Sequence, residues 1–166
     1  MIFYSIQKKV AYDEAKKIGY LTGNIKYIDE YFVPACQWMM EQMKKRLPSY
    51  KGEFPIWLWA DKKSLDYSEL INKDNVLFKI NIPKENVLAS NFFAWHHILN
   101  NTDIEDKNLP KEESWELIFN DALIKEIGYG DLKQYTIGKL SINDVIIIKS
   151  RVSKILFIIK EKVFSK

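Results

Sequence analysis

His96 and His97 are the two histidines of the chain, set side by side in "NFFAWHHILNN" behind Phe92, Phe93 and Trp95. An imidazole titrates near neutrality and acts as general acid, general base or hydrogen-bond partner to a substrate. His96 is therefore a candidate catalytic residue. Consecutive side chains point in different directions on a helix or strand, so the pair does not hold one metal in the HxxxH manner, and no metal site is expected. The competing reading, and the favoured one, is a buried imidazole satisfied by backbone beside a solvent-facing one. Trp57 and Trp59 in "FPIWLWADK" alternate with Ile56, Leu58 and Ala60. They sit on one face of a strand that is either covered on both sides or lines a cleft with its indoles, and the covered strand is favoured. Cys36, the one cysteine, lies in an aromatic helical stretch where a thiol is buried and inert. Arg46 offers an anion contact; a cation completing the helix dipole is the favoured alternative. There is no GxGxxG, P-loop or GxSxG, and "GYGDL" reads as a turn.

The elements that must carry these residues follow from periodicity. "MIFYSIQ" reads as a first strand, "AYDEAKKIG" as a helix stopped at Gly19, and "YLTGN" as a short extended piece. In "DEYFVPACQWMMEQMKKRLPSYKG", Ala35, Trp38, Met39, Gln42, Met43 and Arg46 keep one helical face. "VLFKINIP" reads as a strand and "KENVLASNF" as a short strand or edge. "FFAWHHILNN" is a short helix or turn, and "EESWELIFN" a helix. "QYTIGKLSINDVIIIKS" supplies one or two closing strands. The expected core is Ile6, Ile18, Trp38, Met39, Met43, Ile56, Leu58, Phe78, Ile80, Leu88, Trp115, Phe119 and Val145.

The chain has 166 residues, 47% of them apolar and 14% aromatic, enough to bury one sizeable core. The expected architecture is one α+β domain over residues 1–150. It has a small mixed or mostly antiparallel sheet, or two small sheets around a cleft, with packed helices. Residues 151–166 form a basic amphipathic extension. The net charge is +3, and from Lys149 to Lys166 six basic residues face one acid, Glu161. The body is thus nearly neutral and the tail is basic: either a surface for an acidic protein or nucleic acid partner, or, the favoured reading, an element whose Ile155, Leu156 and Ile159 complete the core while its lysines face water. A single cysteine, the lack of a signal-peptide pattern and apolar runs far short of a membrane span point to a cytoplasmic location without membrane insertion.

The order of the motifs "FYSIQ", "ACQWMMEQMKKRL", "FPIWLWADK", "KINIPKENVLASNFFAWHHILNN", "ESWELIF" and "QYTIGKLSINDV" resembles an uncharacterised bacterial and phage family, the domain of unknown function numbered 3841. The resemblance runs to about Val145 and leaves the tail outside it. Tyr4-Ser5 stands where that family usually has Trp-Thr, and Asn91 where Asp precedes Phe. Gly138-Lys139 stands where the closing strand usually reads Trp-Glu. A weaker, fold-level resemblance is to ADP-ribosyltransferase-type proteins, which bind NAD between two small sheets. That resemblance implies Tyr4, Ser5 and Gln7 of the first strand as cofactor-binding residues and Gln134 of a late strand as a catalytic one. A Glu is missing at Lys139.

Two readings result. In the first, the chain is an ADP-ribosyltransferase-like protein that binds NAD or another nucleotide. Tyr4, Trp57 and Trp59 stack the ligand, His96 and Gln134 bond its ribose, and the absent carboxylate leaves catalysis degenerate. In the second, it is a non-enzymatic binding module, of phage, plasmid or toxin–antitoxin type, for a protein or nucleic acid. Whether the chain is an enzyme turns on the missing Glu.

Overall fold

The computed structural model describes residues 1–65, 74–104 and 109–148. Alternating burial makes "IFYSIQK" a strand, β1 (Ile2–Lys8), with Phe3 and Ser5 inward. Helix α1 (Lys9–Ile18) ends where Gly19 turns left-handed at φ 85° and returns its N–H to Ala15 O. Strand β2 (Tyr20–Thr22) follows, then two single 3-10 turns, Ile25–Tyr27 and Glu30–Phe32, each opened by an Asx side chain. Helix α2 (Val33–Arg46) carries Pro34 in its first turn and Lys44, Lys45 and Arg46 in its last. Strands β3 (Ile56–Leu58), β4 (Asn75–Asn81) and β5 (Leu88–Asn91) lead into α3 (Phe92–Leu99). Helix α4 (Lys111–Trp115) tightens into a 3-10 turn, Glu116–Phe119, and α5 (Asp121–Glu126) follows. The described part closes with β6 (Lys133–Ile137), β7 (Lys139–Ser141) and β8 (Val145–Ile148).

Among the described residues all strand pairs are antiparallel, and the domain is α+β. β1 and β8 flank β4, β3 and β5 flank β6, and β2 pairs with β7 as a separate ribbon. The two three-stranded sheets meet at a single bridge. Tyr4 N donates to Trp59 O at 2.7 Å and Trp59 N to Tyr4 O at 2.8 Å. Ser5 Oγ adds a bond to Trp57 O at 2.8 Å. β1 and the segment Trp57–Trp59 are thus tied at Tyr4 and Ser5, and a cleft opens beside this junction.

Two apolar clusters flank this arrangement. Phe3, Ala15, Leu21, Ile56, Leu58, Phe78, Ile80, Tyr135, Ile137 and Leu140 form one. The other lies under the helices, with Met39 and Met43 fully buried beside Leu88, Trp95, Ile98, Trp115, Ile118 and Ile124. Each such large side chain contributes about 1.5–3 kcal/mol on removal from water.

Several expectations are corrected here. Ile18, expected in the core, is 60% exposed: it is the last residue of α1, before the left-handed Gly19, and the helix buries Ala15 instead. Ile6, Trp38, Phe119 and Val145 are half-buried and not central. Helix α5 was not anticipated; Asn120 caps it by accepting from Leu123 N at 3.2 Å. The closing run forms three strands, not one or two. The basic tail, 151–166, lies outside the described residues, as does part of the acidic loop at 105–108. Among the described residues no helix is long and apolar enough to cross a membrane.

Candidate functional site

A cleft of about 510 Å³ opens beside the junction of β1 with the segment Trp57–Trp59. Its walls come from β1 (Ser5, Gln7), α1 (Ala11, Ala15, Ile18), β2 (Tyr20, Thr22), the following turn (Asn24, Tyr27) and the segment Pro55–Trp57. The volume lies within the range of small-molecule sites. Gln7 gives the cleft a fixed polar group. Its Nε2 donates to Ser5 Oγ at 2.7 Å, and Ser5 Oγ donates in turn to Trp57 O. Ser5 is only 1% exposed, so the relay is protected from water and the amide orientation of Gln7 is set. Gln7 lines the cleft, and its carbonyl oxygen remains an acceptor. Tyr20 and Tyr27 add aromatic walls, and Lys8, with its ammonium 4.9 Å from the Tyr27 ring, adds a cation at the rim. Gly23 closes the far end. It bridges Phe54, and a Cβ there would lie 2.6 Å from Pro55 O and 2.7 Å from Phe54 O. Among the described lining residues one carboxylate is present, that of Glu14, on the exposed side of α1.

The structure therefore gathers Ser5, Gln7, Trp57 and Trp59 at one cleft, with Tyr4 beside them on the opposite face of β1. The tryptophan rings themselves turn toward α3. Trp57 packs on Trp95, centroids 4.9 Å apart, and Trp59 on Phe92 at the same distance. Ile56 and Leu58 are buried on the other side, so β3 is covered on both faces. Gln134 sits on β6 opposite Ser90, 8% exposed, and is not part of the cleft wall. Ser90 Oγ beside it is a buried hydroxyl without a hydrogen-bond partner among the described residues.

The histidines stand apart from the cleft as well. His96 is exposed; its Nδ1 lies 2.9 Å from Phe92 O, and its ring meets the edge of Phe92. His97 is half-buried and bonded on both nitrogens. Tyr129 OH lies 2.6 Å from Nε2, and Thr102 Oγ1 lies 3.1 Å from Nδ1. Thr102 Oγ1 also donates to His97 O at 3.3 Å, so Nδ1 donates to Thr102 and Nε2 accepts from Tyr129. This network ties the end of α3 to the loop after α5. Neither imidazole faces a described cleft, and Trp95 is 3% exposed in the core.

The other candidates resolve as structural groups. Cys36 is buried, and burial pushes its thiol up, away from the reactive thiolate. Arg46 bonds Gln42 and, at 2.6 Å, Glu116, and its guanidinium stacks 4.3 Å from the Phe119 ring. Asn91, 4% exposed, does two jobs. Its Oδ1 accepts from Ala94 N at 2.9 Å to cap α3, and its Nδ2 donates to Gly130 O at 2.6 Å. An aspartate at this position keeps the cap and loses the second bond, a physical reason for Asn here.

A second cleft of about 450 Å³ lies on the other side of β2. It is lined by Tyr50, Glu53, Gly138, Lys139 and Asp144 over a floor that includes Leu47, Ile137 and Leu140. Sequence reasoning noted Lys139 as a departure but did not see this space. Glu53 carried no periodic or motif signal, and its neighbours come from distant segments.

Comparison with known families places these features. The chain matches the family described as Domain of unknown function (DUF3841) over residues 2–163 and belongs to it. The match runs well past Val145, so most of the basic tail falls inside the family pattern and not beyond it. No curated protein matches the chain, and no solved structure does. The likeness to ADP-ribosyltransferase-type proteins finds no support in these comparisons.

Proposed function

We propose that this DUF3841 protein is a nucleotide-binding module whose ligand, NAD or a smaller nucleotide, enters the cleft between β1 and β3. The observation that carries the reading is the Gln7–Ser5–Trp57 relay, which presents an oriented amide inside an aromatic-lined space of ligand size. A base or nicotinamide carboxamide is planar and has donor edges, the shape and chemistry such a group selects. Tyr20 and Tyr27 offer stacking faces, and Lys8 at the rim suits a phosphate.

Binding without turnover is the favoured form. Transfer at a ribose develops positive charge, and a nearby carboxylate stabilises it. The one carboxylate among the described lining residues of the cleft is that of Glu14, exposed on α1 and outside the Gln7–Ser5–Trp57 relay. Gln134 and His96, proposed to bond ribose hydroxyls, are not in the cleft wall, so the ligand is held by Gln7 and the aromatic walls instead.

Titration calorimetry and thermal denaturation with NAD, AMP and adenosine test this. Ligand at 100 times its dissociation constant adds about 2.7 kcal/mol of stability, a clear rise in melting temperature. Gln7→Ala is expected to weaken binding about tenfold without unfolding the protein. Absence of any shift with these ligands at millimolar concentration overturns the reading. Release of nicotinamide from NAD that disappears in Glu14→Gln overturns the non-catalytic part of it.

A further inference from the structure

We infer that the second cleft, beneath the β2–β7 ribbon, is a separate binding site for a small zwitterion of α-amino-acid type. Three charged side chains of both signs line it, Glu53, Asp144 and Lys139. Among the described residues none of the three is in an ion pair with another side chain. Glu53 Oε2 accepts only the backbone N–H of Lys51, at 3.1 Å, and the Lys139 ammonium rests over the Tyr20 ring. Opposite charges that share a small space without meeting are complementary to a ligand that carries both signs. The ligand ammonium goes to the carboxylates of Glu53 and Asp144, and its carboxylate to Lys139.

The rest of the lining fits the same ligand. Leu47, Ile82, Ile137 and Leu140 form an apolar floor for an aliphatic side chain, and Ser49 and Asn86 stand at the wall as hydrogen-bond partners. Gly138 is what keeps Glu53 in the cleft. A Cβ at that position would fall 2.9 Å from Glu53 Oε2 and 2.7 Å from the Tyr50 ring, so a larger residue displaces both. The inference does not rest on nucleotide binding in the first cleft: the clefts share Ile18 and Tyr20 in their walls, but Glu53, Asp144 and Lys139 line the second alone.

The test is titration of the intact protein with leucine, N-acetylleucine and leucinamide, followed by amide chemical shifts. Leucine is expected to shift residues of the 137–141 and 49–53 segments. N-acetylleucine, which lacks the ammonium, and leucinamide, which lacks the carboxylate, are each expected to bind at least about tenfold more weakly. Lys139→Met is expected to weaken leucine but not leucinamide, and Glu53→Gln to weaken leucine but not N-acetylleucine, with melting curves close to wild type. The inference is overturned by absence of shifts with leucine at about 10 mM, a millimolar dissociation constant being the weakest useful site. It is equally overturned by derivatives that bind as well as leucine, or by unchanged leucine binding in both variants.

Discussion

The Tyr50 ring fills the space that a side chain on residue 138 would need, with Cδ2 and Cε2 2.7 Å from the position of a Cβ there. The tyrosine is pinned in that place, because its hydroxyl donates to Glu53 O at 2.6 Å. Gly138→Ala is therefore expected to destabilise the protein by about 1–3 kcal/mol, the range for overpacking a filled site. Denaturant unfolding measures it. Combining the change with Tyr50→Ala should recover part of the loss, since the two groups compete for one volume.

Burial, then the neighbouring Glu53 and Glu41 carboxylates, push the Tyr50 phenol up to about 12. A raised value means the native state holds the proton more tightly than the unfolded chain. That stabilisation is complete below the ordinary tyrosine range and is lost as pH rises through it toward 12. Ultraviolet titration should show one tyrosine ionising after the others, and Tyr50→Phe should abolish that late step.

At the end of the first cleft, Gly23 is packed against backbone and not against a movable side chain. Gly23→Ala is expected to break the bridge to Phe54 and cost about 2 kcal/mol or more, and to weaken any ligand of that cleft in parallel. A variant as stable as wild type would show that the turn after β2 moves freely.

Glu116 joins the 3-10 turn after α4 to the end of α2. Burial acts to raise its carboxyl, but the hydrogen bonds from Arg46 and Lys45 prevail and hold it below the ordinary carboxylate range. With the folded value depressed, the stabilisation is present above the unfolded carboxylate range and is lost as pH falls through the folded value. Solvent screens the pair, so Glu116→Gln is expected to cost about 0.5–1 kcal/mol at neutral pH. The difference from wild type should vanish in acid, as read from melting temperatures across the pH range.

Cys36 is 5% exposed with its thiol pushed up by burial. A thiol reagent near neutral pH is expected to react with it only at the rate of unfolding, and at once in denaturant. Rapid native labelling would contradict its placement on the buried face of α2.

Much of the framework was legible in local pattern. The alternation in "FYSIQ" and "FKIN", the helical face of α2, and Gly19 as a helix stop are statements about neighbours in sequence, and burial follows from them. A covered β3 followed from apolar residues that have no cheaper place to go. Only the tertiary structure decided the sites. The first cleft lies beside the bridge between Tyr4 of β1 and Trp59, just past β3, residues 55 positions apart along the chain. Whether an indole faces a cavity or a helix depends on which helix arrives, and α3 arrives at Trp57 and Trp59. Gln134 and His96 had the right chemistry but were set elsewhere by sheet order and helix rotation. Glu53, Lys139 and Asp144 meet around one space for the same reason: long-range strand pairing brings charges together that no local spacing relates.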